Sequence, residues 1–266
     1  MGRVIVITSG KGGVGKTTTT ANIGMALAQR NRKVVVVDAD FGLRNLDLLL
    51  GLENRVVYTA VDVLSGQCRL EQALVKDKRR GNLVLLPAAQ NRTKDSVNPA
   101  QMRQLISALT KVFDYVLVDS PAGIEMGFQN AIAAATEAIV VTTPEISAVR
   151  DADRVIGLLE ANNIKKSGLI INRIRPKMVA VNDMMSVDDV TEILAIPLLG
   201  VVPEDEKVIV STNKGEPLVL SGTPTQAGTA FENIARRLDG EKVEFLDLTV
   251  KDDLLSKIKS FFTRPI

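Results

Sequence analysis

This sequence predicts an α/β fold: a mostly parallel, twisted sheet with helices on both faces, followed by a C-terminal amphipathic helix. Three observations point there. Short apolar runs rich in Val and Ile alternate with longer amphipathic stretches, the rhythm of strands covered on both sides by crossover helices. A glycine-rich loop sits between the first such run and the first helix-like stretch, where a phosphate-binding turn belongs. The rhythm then persists to about residue 238 with no internal repeat or low-complexity segment, so residues 1–240 read as one domain.

In chain order the strand-like runs fall at 4–8, 34–37, 83–86, 115–118, 138–142, 169–171 and 198–202. They are apolar throughout rather than alternating, as parallel strands buried on both faces must be. Helix-like stretches occupy 16–29, 99–111, 125–135, 147–161, 187–194 and 225–238. Beyond Asp239-Gly240 the composition changes: 241–250 reads as a linker and 251–266 as a distinct final segment.

Composition narrows the chemistry. Among 266 residues, Lys plus Arg number 33 and Asp plus Glu 31, a net charge of +2. That balance argues against a chain that coats nucleic acid, and no specific nucleic-acid partner is expected. The 45% hydrophobic and 24% charged residues suit a folded domain with a sizeable core. With no histidine, a Ser-His-Asp triad and any histidine-ligated metal are excluded. Cys68 stands alone, so an intrachain disulfide and a thiolate cage are excluded too, and a reducing compartment is expected. No apolar run approaches the ~18 residues of a spanning helix. Val4-Ile5-Val6-Ile7 begins so near Met1 that no cleavable leader is expected.

The strongest motif is Gly10-Lys11-Gly12-Gly13-Val14-Gly15-Lys16-Thr17, which satisfies G-x-x-x-x-G-K-[ST] after a strand and before a helix. Glycines let backbone N–H groups turn inward around phosphate oxygens, and the helix N-terminus adds its positive dipole. Lys16 can reach β/γ oxygens, and the Thr17 hydroxyl is placed to ligate Mg²⁺. Gly10, Gly12 and Gly15 also match the dinucleotide fingerprint G-x-G-x-x-G, with Asp38 ending the next strand. A nicotinamide-dependent oxidoreductase is therefore a rival. Against it, Gly15-Lys16-Thr17 is not needed for NAD, and the 115–118 strand ends in a second acid, Asp119, as a Walker B strand does.

Lys11 gives the loop the form K-G-G-x-G-K-T, which resembles the deviant Walker A motif of the MinD/ParA ATPases. The resemblance extends over essentially the whole chain and implies an ATPase that binds ATP/ADP with Mg²⁺ and forms a homodimer with ATP. It implies that residues from Gly10 to Thr18 (Gly10, Lys11, Gly12, Gly13, Val14, Gly15, Lys16, Thr17 and Thr18) hold the phosphates, with Lys11 acting across the dimer. Asp38-Ala39-Asp40-Phe41-Gly42-Leu43-Arg44 resembles the first switch. Asp40 then orients the attacking water, and Asp38 lies near the metal with Thr17 and Asp119. Asp119-Ser120-Pro121-Ala122-Gly123 resembles the second switch, where Gly123 permits the backbone to approach a γ-phosphate. Asn172, ending the 169–171 strand, is implied to read adenine with Pro203, Glu204 and Asp205; by itself an Asn there is a turn residue. Glu145, Ser147, Asp151 and Asp153 match the helix start on which the family docks a MinC-like inhibitor and a MinE-like activator. Locally, Ser147 reads equally well as a helix N-cap. Asp47 has no assigned role.

The final segment separates branches of that family. Leu254, Leu255, Ile258, Phe261 and Phe262 share one helical face, with Lys257 and Lys259 at its borders. Basic residues beside an apolar face suit an anionic membrane surface. A terminal helix docked on its own core is the other reading. The pattern resembles the membrane-targeting tail of the branch that positions the division site, which implies a location on the inner face of the cell membrane or the plastid inner envelope. A ParA-type DNA-partition ATPase is the alternative; the Lys76, Lys78, Arg79, Arg80 run could serve it, or be a solvated loop.

Overall fold

Every strand-like run becomes a strand, and each lies where its neighbours can bury it. The computed structural model describes residues 1–41, 44–89 and 97–248. Its strands are β1 (Arg3–Thr8), β2 (Val34–Asp38), β3 (Val75–Lys76), β4 (Leu83–Leu86), β5 (Tyr115–Asp119), β6 (Glu137–Thr142), β7 (Lys166–Ile174) and β8 (Leu198–Pro203). The helices are α1 (Lys16–Gln29), α2 (Leu46–Leu50), α3 (Ala60–Leu64), α4 (Leu70–Ala73), α5 (Pro99–Leu109), α6 (Met126–Ile132), α7 (Ile146–Ala161), α8 (Pro176–Ala180), α9 (Val187–Leu194), α10 (Glu206–Asn213) and α11 (Gln226–Leu238). The sheet order is β3-β4-β2-β5-β1-β6-β7-β8. All pairs are parallel except β3 with β4 at one edge.

The period-2 geometry of a strand sends successive side chains to opposite faces. Val4 and Val6 thus join one core with Val35, Val37, Val116 and Val118, under α5, α6 and α7. Ile5 and Ile7 join the other with Val34, Val36 and Leu117, under α1 and α11. Phe128 and Phe231 are each 1% exposed and anchor the two layers; truncating either to Ala costs ~3–5 kcal/mol.

The structure departs from the sequence reading in several places. Helix α6 stops at Ile132 rather than 135, and α7 begins at Ile146 with Glu145 as its N-cap, so Ser147 is not the cap. Strand β7 runs three residues past each end of the 169–171 core, because its polar ends still pair in the ladder. Helices α2, α3, α4 and α8 were not anticipated, being too short to show a helical period, nor was α10, which buries no residue and so carries no apolar face. In the basic run, Arg79 is not solvated: it pairs with buried Asp77 at 2.7 Å and donates to the carbonyls of Leu50 and Gly215. Residues 241–248 are irregular chain. The segment carrying Leu254, Leu255, Lys257, Ile258, Lys259, Phe261 and Phe262 lies outside the described residues. Among the described residues no helix is long and apolar enough to cross a membrane.

Candidate nucleotide-binding site

Residues 9–15 join the carboxyl end of β1 to the amino end of α1, in the centre of the sheet's carboxyl edge where open parallel sheets bind ligands. Two glycines there are sterically fixed. Gly15 has φ 97°, and a Cβ on it would stand 2.3 Å from Asn172 Nδ2. Gly10 lies so close to α7 that a Cβ would stand 2.2 Å from the Asp151 carbonyl oxygen. Helix α1 starts with no side-chain cap and no acid in its first turn. Its free N–H groups and positive dipole therefore face the loop, as an anion site requires.

Two acids close the site. Asp38 and Asp119 end the adjacent parallel strands β2 and β5 in register, each 1% exposed. Burial pushes Asp119 up to about 6, against hydrogen bonds from the Thr17 and Thr20 hydroxyls and the charge of Lys16. Burial, then the charge of Asp119, pushes Asp38 up to about 8, although it accepts from the backbone N–H of Asp40 at 3.0 Å and of Leu46 at 3.3 Å. Lys16 is 7% exposed, and burial lowers its pKa against the attraction of Asp119 and Asp40. Two buried carboxylates thus end neighbouring strands in register, with the Lys16 ammonium drawn to Asp119, an arrangement that a divalent cation relieves. Among the described residues no cluster of three or more His, Cys, Asp or Glu makes a complete cage. Mg²⁺ does not need one, since it uses one or two protein oxygens and completes its shell with phosphate and water. Thr17 and Asp119 fit that donor set.

Several predicted residues are engaged in ways the sequence did not reveal. The Lys11 ammonium does not point into the loop. It pairs with Glu145 at 3.2 Å and donates to Ser147 Oγ at 3.0 Å, at the start of α7. Asn172 is 6% exposed and donates through Nδ2 to the Val14 carbonyl at 2.7 Å, so its amide steadies the phosphate loop. Gly123 has φ 86° and donates its N–H to the Ser9 carbonyl at 3.3 Å. Pro203 ends β8, Glu204 pairs with Arg175, and Asp205 caps α10 by accepting from Lys207 N–H at 2.8 Å. Val14 is buried in the loop, and Thr18 lies in the first turn of α1. Asp40 is half-buried in the loop after β2. On α7, Asp151 faces Arg154 at 3.8 Å and Asp153 is exposed.

The structure adds residues that the sequence reading did not use. Thr20 is fully buried, with its hydroxyl 3.0 Å from Asp119 Oδ1. It lies four residues after Lys16, one helical turn on, and that spacing was the available signal. Asp47, left without a role, is 1% exposed and pairs with Arg44 at 2.6 Å, bracing the chain after Asp40.

A P-loop nucleotide-binding protein with a Walker-type acid beside its loop is the class that this fold and site define. The chain belongs to the CobQ/CobB/MinD/ParA nucleotide binding domain family, whose model matches residues 5–218, and within it to the septum site-determining MinD group. A septum site-determining protein MinD of a Synechocystis species is 63% identical over 260 residues, covering 97% of this chain and 98% of that one. A MinC:MinD cell division complex of Aquifex aeolicus superposes with TM-score 0.86 at 49% identity, covering 93% of this chain and 100% of that chain. The septum site-determining MinD of Pyrococcus horikoshii, complexed with Mg-ADP, superposes with TM-score 0.82 at 34% identity, covering 90% and 97%.

Proposed function

We propose that this chain is a Mg²⁺-dependent ATPase that dimerises with ATP, binds an anionic membrane through residues 251–266, and positions the division site by recruiting a MinC-type inhibitor. A MinE-type activator stimulates hydrolysis and release. The observation that carries the reading is the in-register pair Asp38 and Asp119 against Lys16 and Thr17 at the uncapped end of α1. It is a site built to receive polyphosphate and a divalent cation together.

In this reading the backbone N–H groups of residues 10–15 and the Lys16 ammonium hold the phosphate oxygens. Thr17 and Asp119 hold the cation, with Asp38 in its outer shell. Mg²⁺ held by these residues would supply charge neutralisation to the phosphates. Asp40 orients a water whose oxygen bonds to the γ-phosphorus as the bridging P–O bond to ADP breaks, giving ADP and phosphate. Positioning carries most of this reaction, so an Asp suffices where no histidine is available. Asn172 and the 203–205 loop lie beside the base. Lys11 exchanges its contacts with Glu145 and Ser147 for the partner copy's phosphates, which links ATP occupancy to the α7 surface that takes the inhibitor. One membrane segment holds weakly and two held together hold firmly, so the dimer stays on the surface and the monomer leaves.

Phosphate release and co-sedimentation with anionic vesicles test the reading, using ATP, ADP and no nucleotide. The expected result is Mg²⁺-dependent phosphate release and ATP-dependent pelleting that a chain ending at Gly240 loses. No turnover of Mg-ATP removes the ATPase reading. Equal pelleting of the shortened chain removes the membrane assignment.

A further inference from the structure

An apolar groove of about 630 Å³ opens between β8, the end of β7, α8 and α9. Its walls include Ile174, Val179, Val187, Leu198 and Val201. The remaining wall is the chain's own exit path: Phe245, Leu246, Asp247 and Leu248 line the same groove. Arg237 fastens that path. It stacks on the Phe245 ring at 4.2 Å and donates to the carbonyls of Val243, at 3.0 Å, and Glu244, at 2.7 Å. The last described residue therefore already lies in the groove.

We propose that this groove is the docking site for the apolar face of residues 254–262 of the same chain when that face is off the membrane. The proposal rests on the membrane reading above, and it adds a competing site to the dimer avidity of that reading. Three observations carry it. Leu254 is six residues beyond Leu248, a reach of at most ~20 Å, and Leu248 itself lines the groove, so the segment begins within reach of it. The groove is apolar and within the ~300–1,000 Å³ range of built apolar sites, and the segment's face is Leu254, Leu255, Ile258, Phe261 and Phe262. Charge also matches. The charged residues lining the groove are Asp188 and Asp247, both acidic, whereas Lys257 and Lys259 border the segment's face.

The same face cannot contact the groove and a bilayer at once, so the two sites compete, and each weakens the other by the same factor. A short tether sets an effective concentration of order mM. Even a groove with sub-millimolar affinity thus holds most of the segments of a monomer and lowers its membrane affinity about three- to tenfold. In a dimer two segments gain from simultaneous binding to one surface, and the groove loses the competition.

The test places a carboxylate in the groove of the full-length chain, on α8: Val179→Asp, with Ala180→Asp as a second variant should the first lower the thermal midpoint. Vesicles of mixed neutral and anionic phospholipid are titrated with and without ATP. The expected result is vesicle binding about three- to tenfold tighter in ADP or without nucleotide, despite the added negative charge, with ATP-state binding and phosphate release unchanged. Unchanged ADP-state binding in both variants overturns the proposal. A lipid-free measurement separates this from failure of the membrane reading. In a chain with Cys68→Ser, Val179→Cys and Phe261→Cys, a short thiol crosslinker should join the two positions, and vesicles plus ATP should suppress the crosslink. Crosslinking with no vesicle binding in any state would retain the groove and discard the membrane reading; no crosslink would discard the groove.

Discussion

The two ends of the sheet treat charge in opposite ways. At the amino end, acids are matched with cations. Arg3 donates to both oxygens of Glu137, at 2.8 and 2.6 Å, and Lys166 approaches the same carboxylate at 2.7 Å. Arg30 and Arg32 converge on Asp239 at 3.0 and 2.7 Å, with the Tyr115 hydroxyl donating at 3.1 Å. Burial works to raise both carboxyls, but these partners outweigh it and hold each below its ordinary value. At the carboxyl end, Asp38 and Asp119 are buried deeper, lie in register, and titrate upward. The first arrangement closes the fold around the 239–241 junction. The second keeps buried carboxyls short of cationic partners for a ligand to complete, at a cost in stability of the ligand-free chain.

Substitutions at the two ends should therefore diverge. Asp38→Asn should lower phosphate release about 10²–10³-fold, as loss of one preorganised electrostatic group does. It should also flatten the pH dependence of the nucleotide-free chain. A carboxyl raised from 3.8 to about 8 keeps its proton in the folded state and loses it in the unfolded state across that window. The folded chain then binds more protons, so stability falls as pH climbs from about 4 to 8. Calorimetry between pH 5 and 8.5 should show that decline in the parent and a shallower one in the variant; equal slopes would show that Asp38 stores no unfavourable charge.

Glu137→Gln at the other end should do the reverse. It leaves Arg3 and Lys166 facing a neutral amide in a half-buried setting and should cost about 1–3 kcal/mol in urea unfolding. Phosphate release by the folded fraction should stay within about twofold of the parent, since this pair lies at the far end of β6 and β1 from the phosphate loop. A large loss of turnover without loss of stability would mean that the two ends are coupled.

This contrast also marks what the sequence could show. Runs such as Val34-Val35-Val36-Val37 are apolar on both faces, so burial and parallel pairing follow from residue type alone. Helix α1 matches its expected start because the glycine-rich loop ends just before it, at Gly15. Asp38 and Asp119 were legible as acids at strand ends. Their register, which makes them strain one another, depends on β2 and β5 becoming neighbours across 76 intervening residues of chain that only the fold arranges. Likewise Asn172 reaches the Val14 carbonyl across a sequence separation of 158. Ser147 misled because a hydroxyl before an apolar run is a cap signal; here Glu145 opens the helix, and the hydroxyl is engaged by Lys11. Local patterns specify elements and motifs, but pairing among distant polar groups is a property of the assembled sheet.

The smallest expected effect lies at the border between the two regimes, in the exposed pair Lys11–Glu145. The side chains are 41% and 57% exposed, so the pair contributes ~0–1 kcal/mol. Glu145→Gln should leave the thermal midpoint unchanged. If the pair withholds Lys11 from a partner copy's phosphates, releasing it in both copies should tighten ATP-dependent self-association by no more than about thirtyfold, the factor that ~1 kcal/mol per copy allows. Analytical ultracentrifugation across a concentration series with ATP reads that shift. Weakened association would reverse the assignment: Glu145 would then touch the partner copy itself, and its contact with Lys11 would build the dimer surface instead of competing with it.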